Sequence, residues 1–208
     1  MKFPLLLKIS LFCILAAVFN YFVSVLCLYV IKAPLFVDTV FTVAVTFTAG
    51  LIPGLVTALF TSLFGEIMVN SFSPFVICAI AEVFIVWLFT RKRRGKMDNA
   101  QLKQAASISG ILIKLMLLYI TACLAISVLG GIIEYFYHSV LANPKLFFSA
   151  EDMFKIGLLQ GDFNILAVNI LSRIPVNLVD RFIVIFGGYF ISRLVIKISG
   201  SKSTCDQE

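Results

Sequence analysis

The chain has 208 residues, of which 61% are hydrophobic and only 13% charged, against about 25% charged in an ordinary soluble domain. So little charge cannot cover a water-soluble globule, and a mean hydropathy of +1.04 agrees. A soluble enzyme, a nucleic-acid-binding module and a disordered chain are excluded on this ground, so no nucleic-acid partner is expected.

The net charge of +6 takes its meaning from position. Eleven of the seventeen Lys and Arg lie at Lys2 and Lys8, between Arg91 and Lys103, and between Arg193 and Lys202, each group beside an apolar run. Basic flanks of this kind stay on the cytoplasmic side of a bilayer. The expected fold class is an all-α integral membrane protein of the plasma membrane, multi-pass, with 1–208 a single membrane domain.

In chain order, residues 9–31 form the first span, since about 20 apolar residues cross the hydrocarbon core. The run is too long for a signal-peptide core of about 7–15 residues. Residues 37–50 are rich in β-branched side chains, which favour strands in water; an isolated strand in lipid leaves its backbone unpaired, so a helix is expected. Ile52, Pro53 and Gly54 read as a turn, 54–69 as the third span, 70–74 as another turn and 75–90 as the fourth span, which the basic run at 91–96 stops. Residues 105–133 make a fifth span interrupted by Lys114. With the basic loop inside, both termini are cytoplasmic and the chain emerges outside near Glu134.

An external loop and helix then occupy 134–173. Ser149 with Asp152 resembles a capping box, which opens an amphipathic or membrane-embedded helix over 151–172. Lys155, Asp162 and Asn169 recur every seven residues along it as a polar stripe. The last span is 176–198. If the 151–172 helix crosses there are seven spans; if it lies on the outer face there are six, and the charge pattern favours six.

Ionisable residues at membrane depth mark functional positions. Glu82 and Lys114 both fall roughly 12–14 Å from the inner boundary at ~1.5 Å per residue, which predicts an intramembrane ion pair. Asp38, Glu66 and Asp180 map to the outer half. Two readings stay open for these three: a site for a cationic ligand or divalent metal, or carboxylates that serve helix N-termini and pair with Arg173 or Arg181. Tyr135 and Tyr137 belong to an interfacial aromatic belt and are placed to close over a ring-shaped ligand. The cysteines sit singly, without metal-ligand spacing, and no metal or cofactor is expected. There is no P-loop, no G-x-S-x-G and no H-E-x-x-H, so no enzymatic role is expected.

Two stretches resemble a known family. Ala33 to Thr42 (APLFVDTVFT), followed by Ala49 to Leu55 (AGLIPGL), is similar to the second-helix signature of substrate-binding S-components of energy-coupling factor (ECF) transporters. Arg173 to Arg181 (RIPVNLVDR), followed by Phe186 to Tyr189 (FGGY), resembles the opening of their last helix. The resemblance implies six transmembrane helices and high-affinity capture of a vitamin-like small molecule at the outer face. Its implied partners are a transmembrane coupling subunit and two cytoplasmic ATPases. Carried onto this chain, it places substrate contacts at Asp38, Glu66, Tyr135, Tyr137, Asp162, Asn169, Asn177 and Asp180. It places the contact with the coupling subunit at Cys13, Ala16, Ala17 and Asn20, where the small-residue repeat is imperfect. A membrane sensor domain and a self-sufficient proton-coupled carrier are the alternative readings.

Overall fold

Every regular element is a helix in the computed structural model, which describes residues 3–31, 37–69, 74–91, 108–140, 155–158, 161 and 163–205. Helix α1 (Phe3–Val25) runs on as a π-helical stretch (Leu26–Ile31). It is followed by α2 (Val40–Ala49), α3 (Leu51–Val69), α4 (Val76–Thr90), α5 (Ile108–Val140) and α6 (Ile165–Cys205). Two segments, Ser109–Tyr137 of α5 and Ile165–Ile198 of α6, are long and apolar enough to cross a membrane.

Several boundaries differ from the expected ones, each for a local reason. The corner between α2 and α3 is the single residue Gly50, whose φ of +91° is strained for any side chain and whose N–H reaches Thr46 O at 3.1 Å. Pro53 therefore falls inside the first turn of α3, where a helix has N–H groups without partners and the missing donor costs nothing. Helix α5 continues past Glu134 to Val140, so Glu134, Tyr135 and Tyr137 sit on a helix and not in a loop.

Among the described residues, 151–172 does not form the one continuous helix expected, since 161, 163 and 164 are not helical. Residues 155–158 are helical, and α6 then starts at Ile165 and runs through Pro175 to Cys205. Asn164 caps that start, its Oδ1 accepting the Leu166 N–H at 3.1 Å, which satisfies one of the unpaired first-turn donors. Pro175 removes one backbone bond, to the Leu171 carbonyl, and a helix packed along a neighbour tolerates that loss.

Helix α2 is the centre of the bundle and packs against α1, α3, α4 and α6. Val40 and all of Thr42 to Thr46 are buried, as expected of a short helix apolar on every side. Its contact with α6 is close: a Cβ on Gly188 would lie 2.7 Å from Val43 Cγ1 and 3.0 Å from the Val40 carbonyl oxygen. Forcing atoms into such a contact costs about 1–3 kcal/mol. Gly188→Ala is therefore expected to lower the unfolding temperature of the purified protein, and an unchanged value would contradict the packing described.

Asn20 ties three helices together. Its Nδ2 donates to Thr42 Oγ1 (2.8 Å) and Thr61 Oγ1 (3.1 Å), and its Oδ1 accepts the Phe41 N–H (2.8 Å). Phe41 is in the first turn of α2, so α1 supplies the cap that α2 lacks from its own chain segment; Thr39, the N-cap residue, makes no capping bond.

The outward faces invert the usual arrangement. Leu11, Leu15 and Phe22 of α1, Leu63 and Ile67 of α3, Leu88 of α4, Leu117 and Leu124 of α5, and Phe182 and Phe190 of α6 are exposed. Asn20, Thr42, Glu82, Asp180 and Arg181 are buried. A soluble domain places its charges outside and rarely buries them.

Candidate functional site

Three elements bring charge to one point inside the bundle. Glu82 comes from the middle of α4, Asp180 and Arg181 from α6, and Asp38 and Thr39 from the turn that precedes α2. The Arg181 guanidinium is the hub. Its Nε and Nη2 donate to Asp180 Oδ2 at 3.0 and 2.5 Å, and its Nη1 donates to Glu82 Oε2 at 2.5 Å and to Thr39 Oγ1 at 3.2 Å. The planar fork of arginine suits such divided bonding, and a lysine ammonium does not. Glu82 and Asp180 are fully buried and Arg181 is 4% exposed. A lone buried charge at any of these positions would cost several kcal/mol. Even so, Glu82 Oε1 and Asp180 Oδ1 have no hydrogen-bond partner.

The bond from Arg181 to Thr39 also explains the trans cap on α2. The hydroxyl that would ordinarily serve the first turn of the helix is taken as an acceptor by the guanidinium, and Asn20 serves the turn instead.

A second charged group lies beside the first. Glu134 of α5 receives Lys155 Nζ on Oε1 (2.5 Å) and Arg173 Nε on Oε2 (3.1 Å), and the Arg173 guanidinium lies 4.8 Å from the centre of the Phe75 ring. Asn177 Nδ2 donates to Ser127 Oγ at 2.9 Å and pins α6 to α5.

Between the two groups is a cavity of about 190 Å³. Its polar wall is Asp38, Thr39, Arg173, Asn177 and Arg181; its apolar wall is Phe75, Cys78, Ala79 and Ile126. A pocket with an apolar wall and a few placed polar groups holds a small molecule in one orientation. Its volume falls below the range of about 300–1,000 Å³ typical for drug-sized ligands, so a compact occupant fits.

Of the residues expected from sequence to contact substrate, Asp38 and Asn177 line this cavity, and Asp180 stands behind it as a partner of Arg181. The structure does not bring the others there. Glu66 is partly buried in the last turn of α3, Asn169 is buried on α6, and Tyr135 and Tyr137 lie on α5; none is on the cavity wall. Asp162 lies outside the described residues.

Two expectations are corrected by the geometry. Glu82 pairs with Arg181 and not with Lys114, which is exposed. Glu82 is six residues into α4 and eight from its end, so it reaches the Asp38 level as readily as the opposite one. The small-residue face of α1 also points inward. Cys13, Ala16, Ala17 and Asn20 are between 0% and 5% exposed, with the Cys13 thiol on the Pro53 carbonyl at 3.6 Å. As packed here, those four offer no surface to a coupling subunit.

Sequence reasoning missed Arg181 as the hub, naming it only, with Arg173, as an alternative partner for Asp38, Glu66 and Asp180. The available signal was its position on the same helix face as other buried α6 residues, Asn177 and Val184. Thr39, Cys78 and Ala79 carry no sequence signal that separates them from their neighbours.

Comparison with known protein families, with characterised proteins and with solved structures finds no match to this chain.

Proposed function

We propose that this chain is a six-segment plasma-membrane protein that captures a small molecule in the α2–α4–α5–α6 cavity and serves as the substrate-binding subunit of an uptake system, in the manner of an ECF S-component. One observation carries the reading. The two stretches that resemble S-components, 33–42 and 173–181, are far apart in sequence, yet they supply Asp38, Thr39, Arg173, Asn177 and Arg181, the whole polar wall of one cavity. Resemblance by chance gives no reason for both segments to meet at a single pocket.

The outward apolar faces support a lipid setting, because exposed apolar area on this scale is unusual in a soluble monomer. Helix α2 has 10 residues and spans only about 15 Å at ~1.5 Å per residue. Its neighbours sheathe it, so it need not face lipid. The basic flanks support a cytoplasmic side for both termini. In this reading a coupling subunit and two cytoplasmic ATPases supply energy, and they dock on a surface other than Cys13, Ala16, Ala17 and Asn20.

A proton-coupled carrier is the second reading, favoured by the buried carboxylates around Arg181. Affinity purification from the native membrane, followed by reconstitution into liposomes, separates the two. The proposal expects ATPase subunits in the purified assembly and uptake that needs ATP. Uptake by the isolated chain, driven by a proton gradient, would replace the proposal with the carrier.

A further inference from the structure

We infer that the cavity takes a small organic cation bearing N–H donors, an ammonium or amidinium group, with Asp38 as its counter-ion. The inference rests on the capture reading above and adds the chemical class of the occupant. It follows from counting donors and acceptors at the site. Arginine has five N–H donors, and Arg181 gives four of them to Asp180, Glu82 and Thr39. The side chain that looks suited to an anion is thus already committed. Arg173, the other cation on the wall, is held by Glu134 and covers Phe75.

Acceptors are in surplus instead. Three carboxylates, Asp38, Glu82 and Asp180, act on the one Arg181 guanidinium and couple to one another through their fields. Two fully buried carboxylate oxygens, Glu82 Oε1 and Asp180 Oδ1, have no hydrogen-bond partner; neither residue lines the cavity, so they act on a guest through their charge and not by a direct bond. Asn177 spends one of its two amide N–H groups on Ser127, and its carbonyl oxygen is a further acceptor. Asp38 is the carboxylate of the cluster on the cavity wall. A guest that brings positive charge and N–H donors offsets the excess of buried negative charge; a carboxylate or phosphate guest would add to it.

The cation is organic and not a metal ion. Among the described residues no three His, Cys, Asp or Glu side chains converge as metal ligands. The apolar wall of Phe75, Ala79 and Ile126 also suits a carbon skeleton, and the Phe75 ring already accepts a cation on its face.

The test uses three probes of one shape and different charge: benzamidine, benzamide and benzoate. Each is titrated against the purified full chain in detergent, with thermal shift and calorimetry as readouts. Benzamidine is expected to raise the unfolding temperature in a saturable manner, with benzamide and benzoate at least tenfold weaker. In Asp38→Asn the benzamidine effect is expected to fall at least tenfold, while the variant without probe stays folded and monodisperse, because the hydrogen bonds of Arg181 to Asp180, Glu82 and Thr39 are left in place. Benzoate or benzamide binding as tightly as benzamidine overturns the cation inference and leaves the capture reading intact. The same holds if Asp38→Asn binds benzamidine unchanged. Absence of binding by all three probes, with no small molecule retained by the purified protein, removes both.

Discussion

Arg181→Met is expected to be the most damaging single substitution in the chain. The variant keeps most of the side chain's apolar bulk but leaves Glu82 and Asp180, both fully buried, without their cation. Removing one partner of a buried pair costs about 3–5 kcal/mol, a large part of the roughly 5–15 kcal/mol that holds a native protein together. Loss of monodispersity in detergent, or a large fall in unfolding temperature, is the expected result. Arg181→Lys is expected to recover only part of the loss, because an ammonium is a point charge and cannot reach Asp180, Glu82 and Thr39 at once. Combining Arg181→Met with Glu82→Gln and Asp180→Asn removes charge from both sides, and replacing a buried ion pair with neutral groups is often close to neutral. The triple variant is therefore expected to be more stable than Arg181→Met alone. If the single variant is as stable as wild type, the buried cluster is not as described.

The second large effect is expected at Asn20→Ala. Interhelical hydrogen bonds inside a membrane bundle average only about 0.6 kcal/mol, so the bonds to Thr42 and Thr61 together count for little more than 1 kcal/mol. Most of the loss comes from the Phe41 N–H, which is left without its acceptor at a buried helix start, at a cost of about 1–3 kcal/mol. Together these give roughly 2–4 kcal/mol, which at about 2–4 °C per kcal/mol for a chain of this size lowers the unfolding temperature by roughly 4–16 °C. Thr42→Val is the control. It removes one acceptor but leaves Asn20 its bonds to Thr61 and Phe41, so its effect is expected to be well under half as large. Equal effects from the two substitutions would mean that the cap on α2 contributes nothing.

Both effects concern residues whose type was readable in the sequence but whose partners were not. That the chain is helical and apolar was legible at once, because 61% hydrophobic content and the backbone needs of an apolar medium admit little else. The helix order was legible too, but not its corners. Gly50 alone makes the turn that Ile52, Pro53 and Gly54 were expected to make, because a proline one turn into a helix reads the same as a proline before it. The last span was expected to begin at 176, yet α6 begins at Ile165 and runs through Pro175, because the loss of one backbone donor does not by itself end a helix packed along a neighbour.

At the site, Asp38 and Asp180 were conspicuous because carboxylates are rare at membrane depth, whereas Asn177 was named only through the family resemblance; Asp38 and Asn177 line the cavity and Asp180 pairs with Arg181. The choice of Lys114 as the partner of Glu82 failed because depth along a helix fixes height and says nothing about which neighbour stands opposite. Azimuth needs packing, and packing placed Arg181 there. The small residues at Cys13, Ala16 and Ala17 have the same limitation. A narrow face marks a close approach between helices, and the sequence does not tell whether the approaching helix belongs to this chain or to a partner.

The measurement that bears most directly on the proposed capture role is native mass spectrometry of the full chain, released from lipid nanodiscs, compared with Ala79→Phe. Ala79 is on the cavity wall and makes none of the hydrogen bonds that hold Arg181, and a phenyl group there occupies the space a guest would take. A small-molecule adduct on the wild-type chain that is absent from a folded Ala79→Phe variant is the expected result. An adduct that persists in Ala79→Phe, or a wild-type chain that carries none and retains none of the amidine, amide or carboxylate probes, would contradict a binding role for the cavity.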